Sequence, residues 1–328
     1  MPRSFATTEA GNLAPPWSPF RLTAAAARTL GLLALLLAGC RPQEATVSLA
    51  LLGDIVLGRG VAPTQESFAY IQPELLSADL ALANLESPLA ADIPAEGYGY
   101  PGEVGRGYNL CAPAGHAPLL AAWGLDLVSL ANNHRLDCGP QGLAETELLL
   151  ADAGVLTIAD GGDAVSVEVD GLELAFLAFD DVSQPVDLAA ATQAIQALRA
   201  GGAIVIVSIH WGLEYQAGPS ARQRLLAEEF SQAGAALIWG HHPHVLQPSE
   251  WIDTPAGRAL VLYSLGNALF DQGGLEDMRQ SALLIVAVGR DGVRSVEAVP
   301  FVIDLQSSRL LAPDPQTAAE ISDRLRLP

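Results

Sequence analysis

A chain of 328 residues, half of them hydrophobic and only 6% aromatic, has ample material for a buried core, which excludes a disordered protein. All 17 basic residues are arginine, so neither a Schiff-base lysine nor a phosphate-loop lysine can take part in any mechanism. The formal charge of −20 repels polyanions, and no nucleic-acid partner is expected.

The first element in chain order is "RLTAAAARTLGLLALLLAGC", Arg21 to Cys40: two arginines, an apolar stretch too short to span a bilayer, then small residues up to a cysteine. It looks like a bacterial lipoprotein signal, with residues 1–39 removed, a lipid on Cys40, and residues 40–45 as a tether to the membrane. The alternative is an ordinary cleaved signal peptide with an incidental cysteine. Loss of residues 1–39 removes three arginines and one glutamate and leaves a net charge of −22. Export to the outer face of the cell membrane, or to a periplasm, implies an oxidising compartment, where Cys111 and Cys138 could pair.

From Thr46 onward short apolar runs alternate with helical stretches. "TVSLALLGD" reads as a strand, "QESFAYIQPELLS" as a helix, "ADLALANLE" as a strand, "GHAPLLAAWG" as a helix and "LDLVSLANNH" as a strand. "GPQGLAETELLLADAG" has helix start and stop signals, and "VLTIA" follows as a strand. Two alternating runs around Asp170-Gly171 read as a hairpin. Then come the helix "VDLAAATQAIQALRAG", the strand "AIVIVSIH", the helix "PSARQRLLAEEFSQAG" and the strand "ALIWG". A last hairpin turns at Asp291-Gly292, and a glycine-rich loop spans 95–109. With no repeat and no linker, the pattern predicts one α/β domain over 46–310, two sheets packed face to face with helices outside, and a C-terminal tail over 311–328.

Polar residues fall where the strands end. Asp54 closes the first strand, Glu86 the second, Asn132-Asn133-His134 the third, His210 the strand "AIVIVSI" and His241 the strand "ALIW", with His242 and His244 just beyond. In α/β sheets ligands sit beyond the carboxyl ends of the strands. Carboxylates, amides and imidazoles together suit a divalent transition metal, Mn, Fe or Zn, as one or two ions. Such an ion would activate water and polarise a phosphoryl or carbonyl oxygen. Taken singly, Asp54 also reads as a helix cap, Glu86 as a surface acid and His210 as a core histidine; their shared position favours the metal. His116, at the start of a helix, reads as structural.

"LLGDIVLGR", "LANLESPL", "SLANNHRLDCG", "SIHWGLEY", "WGHHPHVLQP" and "LYSLGN", spread over Thr46 to Asp271, resemble in kind and order the CapA family of bacterial capsule and poly-γ-glutamate biosynthesis. That family is similar to the calcineurin-like metallophosphatases, which implies a four-layer αββα sandwich. The resemblance implies metal ligation by Asp54, Glu86, Asn133, His210, His241 and His244, with His134 as the histidine that protonates the leaving group or steadies the transition state and Asp54 also at the reaction centre. Arg59, Arg135 and Glu214, close to these positions, become candidates for supporting the ligands or binding substrate, with plain surface pairing as the alternative, and His242 stays open as substrate contact, ligand or replacement for a missing histidine. Two departures stand out: the metallophosphatase Asp-x-His has Val56 in place of its histidine, and Gly-Asp-x-x-Asp is replaced by "ANLE".

The implied function is a metal-dependent hydrolase cutting a phosphoester or amide of an envelope polymer, tethered through Cys40 and working beside other capsule-synthesis membrane proteins. The alternative is a non-catalytic structural or export subunit that binds polymer. A solute-binding lipoprotein is a third reading, and its domain-hinge pattern is not visible.

Overall fold

In a computed structural model, the structure describes residues 45–93, 109–161 and 163–327. The leader, the lipidation candidate Cys40, the tether up to residue 44 and most of the glycine-rich loop lie outside the described residues.

The strands are β1 (Val47–Ile55), β2 (Leu80–Leu85), β3 (Leu89–Ala90), β4 (Ala112–Pro113), β5 (Leu127–Ser129), β6 (Leu156–Ile158), β7 (Val165–Val169), β8 (Leu172–Asp180) and β9 (Ile204–His210). They continue as β10 (Ala235–His241), β11 (Ser249–Thr254), β12 (Gly257–Leu262), β13 (Asn267–Leu269), β14 (Gln280–Gly289), β15 (Gly292–Asp304) and β16 (Arg309–Leu311). The helices are α1 (Gln72–Ser77), α2 (Ala117–Trp123), α3 (Gly139–Ala153), α4 (Leu188–Ala200), α5 (Ala221–Ala233) and α6 (Pro315–Leu325). One sheet runs β16-β15-β14-β1-β2-β5-β6 with β13 beside β1, a second runs β11-β12-β10-β9-β8-β7, and β3 and β4 form a two-stranded sheet.

Side-chain alternation sorts the core into layers. On β1, Leu49 and Leu51 face the second sheet, where they share one apolar cluster with Phe176, Ile206, Trp239 and Leu262, while Ala50 and Leu52 face the other way, toward Leu75, Leu120, Trp123 and Leu150. On β9, Ile204 and Ile206 point inward, and Val205, Val207 and Ile209 pack outward against Ile195 of α4 and Leu226 and Phe230 of α5. The order is helices, sheet, sheet, helices. This is the α/β sandwich that the alternation of elements predicts, in the four-layer order αββα.

Two local differences have physical reasons. "QESFAYIQPELLS" is not one helix: a 3-10 turn, Gln65–Phe68, precedes α1, whose second residue is Pro73, and proline is tolerated only in a first turn. The stretch read as a C-terminal tail holds α6, with Ile321 and Leu325 buried in the inter-sheet cluster. Its Asp314 cap accepts from the Gln316 and Thr317 amides, which fixes where the helix starts. "SEWIDT" forms β11, antiparallel to β12. Cys111 and Cys138 form a disulfide, with Cα atoms 5.1 Å apart, joining the segment before β4 to the start of α3.

Candidate metal centre

Strand periodicity decides which polar side chains meet. On β2 the inward set Leu80, Leu82 continues to Asn84 and, one step past the strand, Glu86; on β9 it ends at His210 and on β10, after Leu237 and Trp239, at His241. Strict alternation on β1 would turn Asp54 outward with Ala50 and Leu52. It does not, because β1 carries an extra residue against β2: Leu51 pairs Leu82, yet Asp54 pairs Asn84. This bulge flips the alternation and brings the carboxylate inward. Gly53 is required there, since a Cβ would lie 1.9 Å from the Gly266 carbonyl oxygen. The polar ends of both inner faces therefore converge at one end of the inter-sheet core.

The resulting cluster is dense. Glu86, His242 and His244, all buried, each offer a ligand atom, and these atoms lie within 4.8 Å of one another. Asp54 Oδ1 is 3.3 Å from His241 Nδ1, and its Oδ2 is 3.3 Å from His244 Nδ1. Glu86 Oε1 is 3.5 Å from His210 Nε2 and 3.7 Å from His244 Nε2. His242 Nδ1 is 3.1 Å from His210 Nε2, and the His242 amide donates to Asp54 Oδ2. Asn267 Oδ1, 2.9 Å from His244 Nδ1, accepts from it and leaves Nε2 turned toward Glu86. Asn132 Nδ2 donates to Asn84 Oδ1, and Asn84 Nδ2 donates to Asp54 Oδ1, a relay of amides that fixes the carboxylate.

The donor set fits a divalent ion. Both Glu86 oxygens and Nε2 of His241 are buried with no hydrogen-bond partner among the described residues, a costly state unless a cation completes them. Burial raises the Glu86 carboxyl to about 7, the imidazolium of His244 opposing and Asp54 reinforcing the shift. Burial pushes the Asp54 carboxyl up, but the neighbouring imidazoles of His241 and His244 outweigh it and hold the group well below its ordinary value. His244 is driven down by burial and up, more strongly, by Glu86 and Asp54, to about 9. Burial and the charge on His244 lower His242 to about 4, so His242 is neutral and ready to ligate.

A proton on His244 competes with a metal, and below about pH 7 a proton on Glu86 competes as well. Affinity should therefore rise with pH, by up to about tenfold per unit from pH 7 toward 9 and more steeply below 7. Calorimetry in buffers of different ionisation enthalpy should show about one proton released per ion just above neutrality. Flat affinity across this range would place the ion elsewhere.

Above the cluster opens a cleft of about 270 Å³, lined by Arg59, His134, Glu214, Tyr215, His244 and Phe270 among others. Two substrate candidates, Arg59 and Glu214, thus border the metal donors. Arg59 is paired with Asp271, and its guanidinium lies 5.1 Å over the Phe270 ring. Arg135 differs: its charge is compensated by Asp180 at the end of β8 and by Asp160 just beyond β6, so it braces the loop after β5 rather than lining the cleft. His242, open between ligand and substrate contact, is buried with the candidate ligand atoms, where a left-handed backbone at His242 and again at His244 (φ 93° and 57°) turns the chain. Asn133 is half-buried on the turn between Asn132 and His134, with its Oδ1 buried, and the amides hydrogen-bonded into the cluster include Asn84, Asn132 and Asn267. His134 hydrogen-bonds Asp137, with Nδ1 2.8 Å from Oδ2. His116 bonds the Leu57 carbonyl, in the structural role read for it.

The model of the family "Bacterial capsule synthesis protein PGA_cap" matches residues 48–272, which includes every residue of this cluster. The chain belongs to that family. It is 31% identical to "PGA biosynthesis protein CapA" of Bacillus subtilis (strain 168), over 80% of this chain and 73% of that one. It is 29% identical to "Capsule biosynthesis protein CapA" of Bacillus anthracis, over 86% and 72%. A hypothetical protein from Thermus thermophilus shares the fold at 13% identity, with a TM-score of 0.50 over 78% of this chain and 99% of that one.

Within this PGA_cap chain the departures from the metallophosphatase pattern become legible. Val56, in place of a ligand histidine, is fully buried in the outer apolar cluster, and His242 stands in the ligand trio instead. The residues that sequence reasoning missed are mostly amides: Asn84 inside "ANLE", and Asn267 closing "SLGN". Both motifs were visible; only the inward parity of Asn84 and the parallel pairing of Asp54 with Asn267 reveal their use.

Proposed function

We propose that this protein is an exported, membrane-anchored, metal-dependent hydrolase of capsule or poly-γ-glutamate biosynthesis, acting on a phosphoester or amide of an envelope polymer. The observation that supports the reading most is the trio Glu86, His242 and His244, buried beneath a cleft that His134 and His244 both line. The names of the Bacillus relatives supply the polymer context.

Glu86, His242 and His244 would hold one ion, and Asp54, His210 and His241 are the donors at hand for a second. Imidazole and carboxylate donors suit Mn, Fe or Zn. When bound, such an ion lowers the pKa of water and polarises a phosphoryl or carbonyl oxygen. The chain's own residues do the rest. Arg59 and Glu214 flank the approach to the cluster. Burial disfavours a charged His134, but Asp137 and Glu86 outweigh it and raise its pKa, so it holds a proton to hand to a leaving group in the cleft.

The test is hydrolysis of a p-nitrophenyl phosphomonoester, the corresponding diester and a γ-glutamyl peptide by protein loaded with Mn, Fe or Zn. Metal-dependent turnover of one class supports the reading. No turnover by protein shown to hold metal in this cluster supports the polymer-binding subunit instead.

A further inference from the structure

Asp137 belongs to none of the ligands above, yet its buried carboxylate joins two parts of the cleft. One oxygen, Oδ2, accepts from His134 Nδ1 at 2.8 Å and from the Leu110 amide at 2.7 Å. Leu110 and His134 both line the cleft above the metal donors. The same pair of segments is fastened twice more: Asn109 Nδ2 donates to the Asp137 carbonyl at 3.2 Å, and Cys111 is bonded to Cys138. Asn109 Oδ1 also accepts from the Cys111 amide at 2.7 Å, which closes the 109–111 segment on itself.

We infer that Asp137 is a positioning residue: with the Cys111–Cys138 disulfide it locks the His134 ring and the 109–111 wall of the cleft into one unit, leaving Nε2 of His134 as the nitrogen offered to substrate. The role in turnover rests on the hydrolase reading; the orientation of the ring does not. A carboxylate that accepts from Nδ1–H fixes the tautomer of its histidine. The backbone amide of Leu110, buried at the same oxygen, holds the carboxylate in turn. The disulfide keeps the two segments in register while substrate occupies the cleft. A general acid acts only within hydrogen-bond reach of its leaving group, so a freed ring loses turnover while leaving the metal donors in place.

The experiment uses the full-length, metal-loaded protein with bis(p-nitrophenyl) phosphate as probe, and compares wild type with Asp137→Ala, Asp137→Asn and the Cys111→Ser/Cys138→Ser pair. Metal content should be unchanged in all three. Turnover should fall about 10- to 100-fold in Asp137→Ala with KM nearly constant, partly recover in Asp137→Asn, whose side-chain oxygen still accepts one hydrogen bond, and fall less in the cysteine pair. Imidazole 15N spectra supply the reading that needs no turnover: His134 should be protonated at Nδ1 in wild type and lose that fixed state in Asp137→Ala. Should the alanine variant fail to fold, the asparagine variant and the cysteine pair carry the comparison. An unchanged His134 spectrum and rate, or a loss of metal that parallels the loss of rate, would overturn the assignment. A wild-type protein without turnover but with the expected spectra would remove the hydrolase reading and keep the positioning.

Discussion

Glu86→Gln should abolish stoichiometric binding of Mn, Fe or Zn, lowering affinity by about 100-fold or more, because it removes the anionic member of the buried trio and keeps its volume. The apo protein should lose no stability. Burial of the carboxylate costs more than the neighbouring His244 imidazolium returns, as the rise of the carboxyl pKa to about 7 records, so a neutral amide is at least as well tolerated. Wild type should gain about 2.7 kcal/mol of stability at a free metal concentration of roughly 100 Kd, and Glu86→Gln almost none. Metal content by mass spectrometry and thermal melts with and without metal measure both effects, with Glu297→Gln, exposed on β15, as control. A variant that binds metal like wild type would remove Glu86 from the centre. One that unfolds without metal would show that the carboxylate is structural.

The second large effect concerns turnover. His134→Ala should reduce metal-dependent hydrolysis by about 10²- to 10⁴-fold, the range for loss of a positioned general acid, and leave metal content intact. The reason is position: His134 lines the cleft and lies outside the ligand trio. Because its proton is held by Asp137, the activity of wild type should decline as pH rises through the raised pKa of this imidazole, and His134→Ala should lack that limb. A pH–rate profile of kcat for both proteins decides the matter. A rate unchanged by the substitution would place the reaction outside this cleft.

The elements that place the site were readable because their signals are local. Strands ending in Asp54, Glu86, His210 and His241, with helices between, say that the polar groups gather at one end of a sandwich. The disulfide was readable as two surviving cysteines, but its geometry was not. What escaped depends on register and on backbone conformation. The bulge that turns Asp54 inward is a property of its pairing with β2, invisible in "LLGDI" alone. The choice among the roles open to His242 depends on two left-handed residues in "HHPH", where spacing alone gives no direction. Arg135 follows a histidine of the site, and adjacency suggested a shared task; the acids that engage it, Asp160 and Asp180, lie on a different sheet segment and could be found only by folding the chain.

Anomalous diffraction from crystals of the protein grown with Mn or Zn tests the central claim most directly. The account predicts a peak bonded to Glu86, His242 and His244, at about 2.0–2.2 Å from their ligand atoms, with any second peak beside Asp54 and His241. A metal-loaded crystal with its peaks elsewhere, and the trio unchanged, would contradict it.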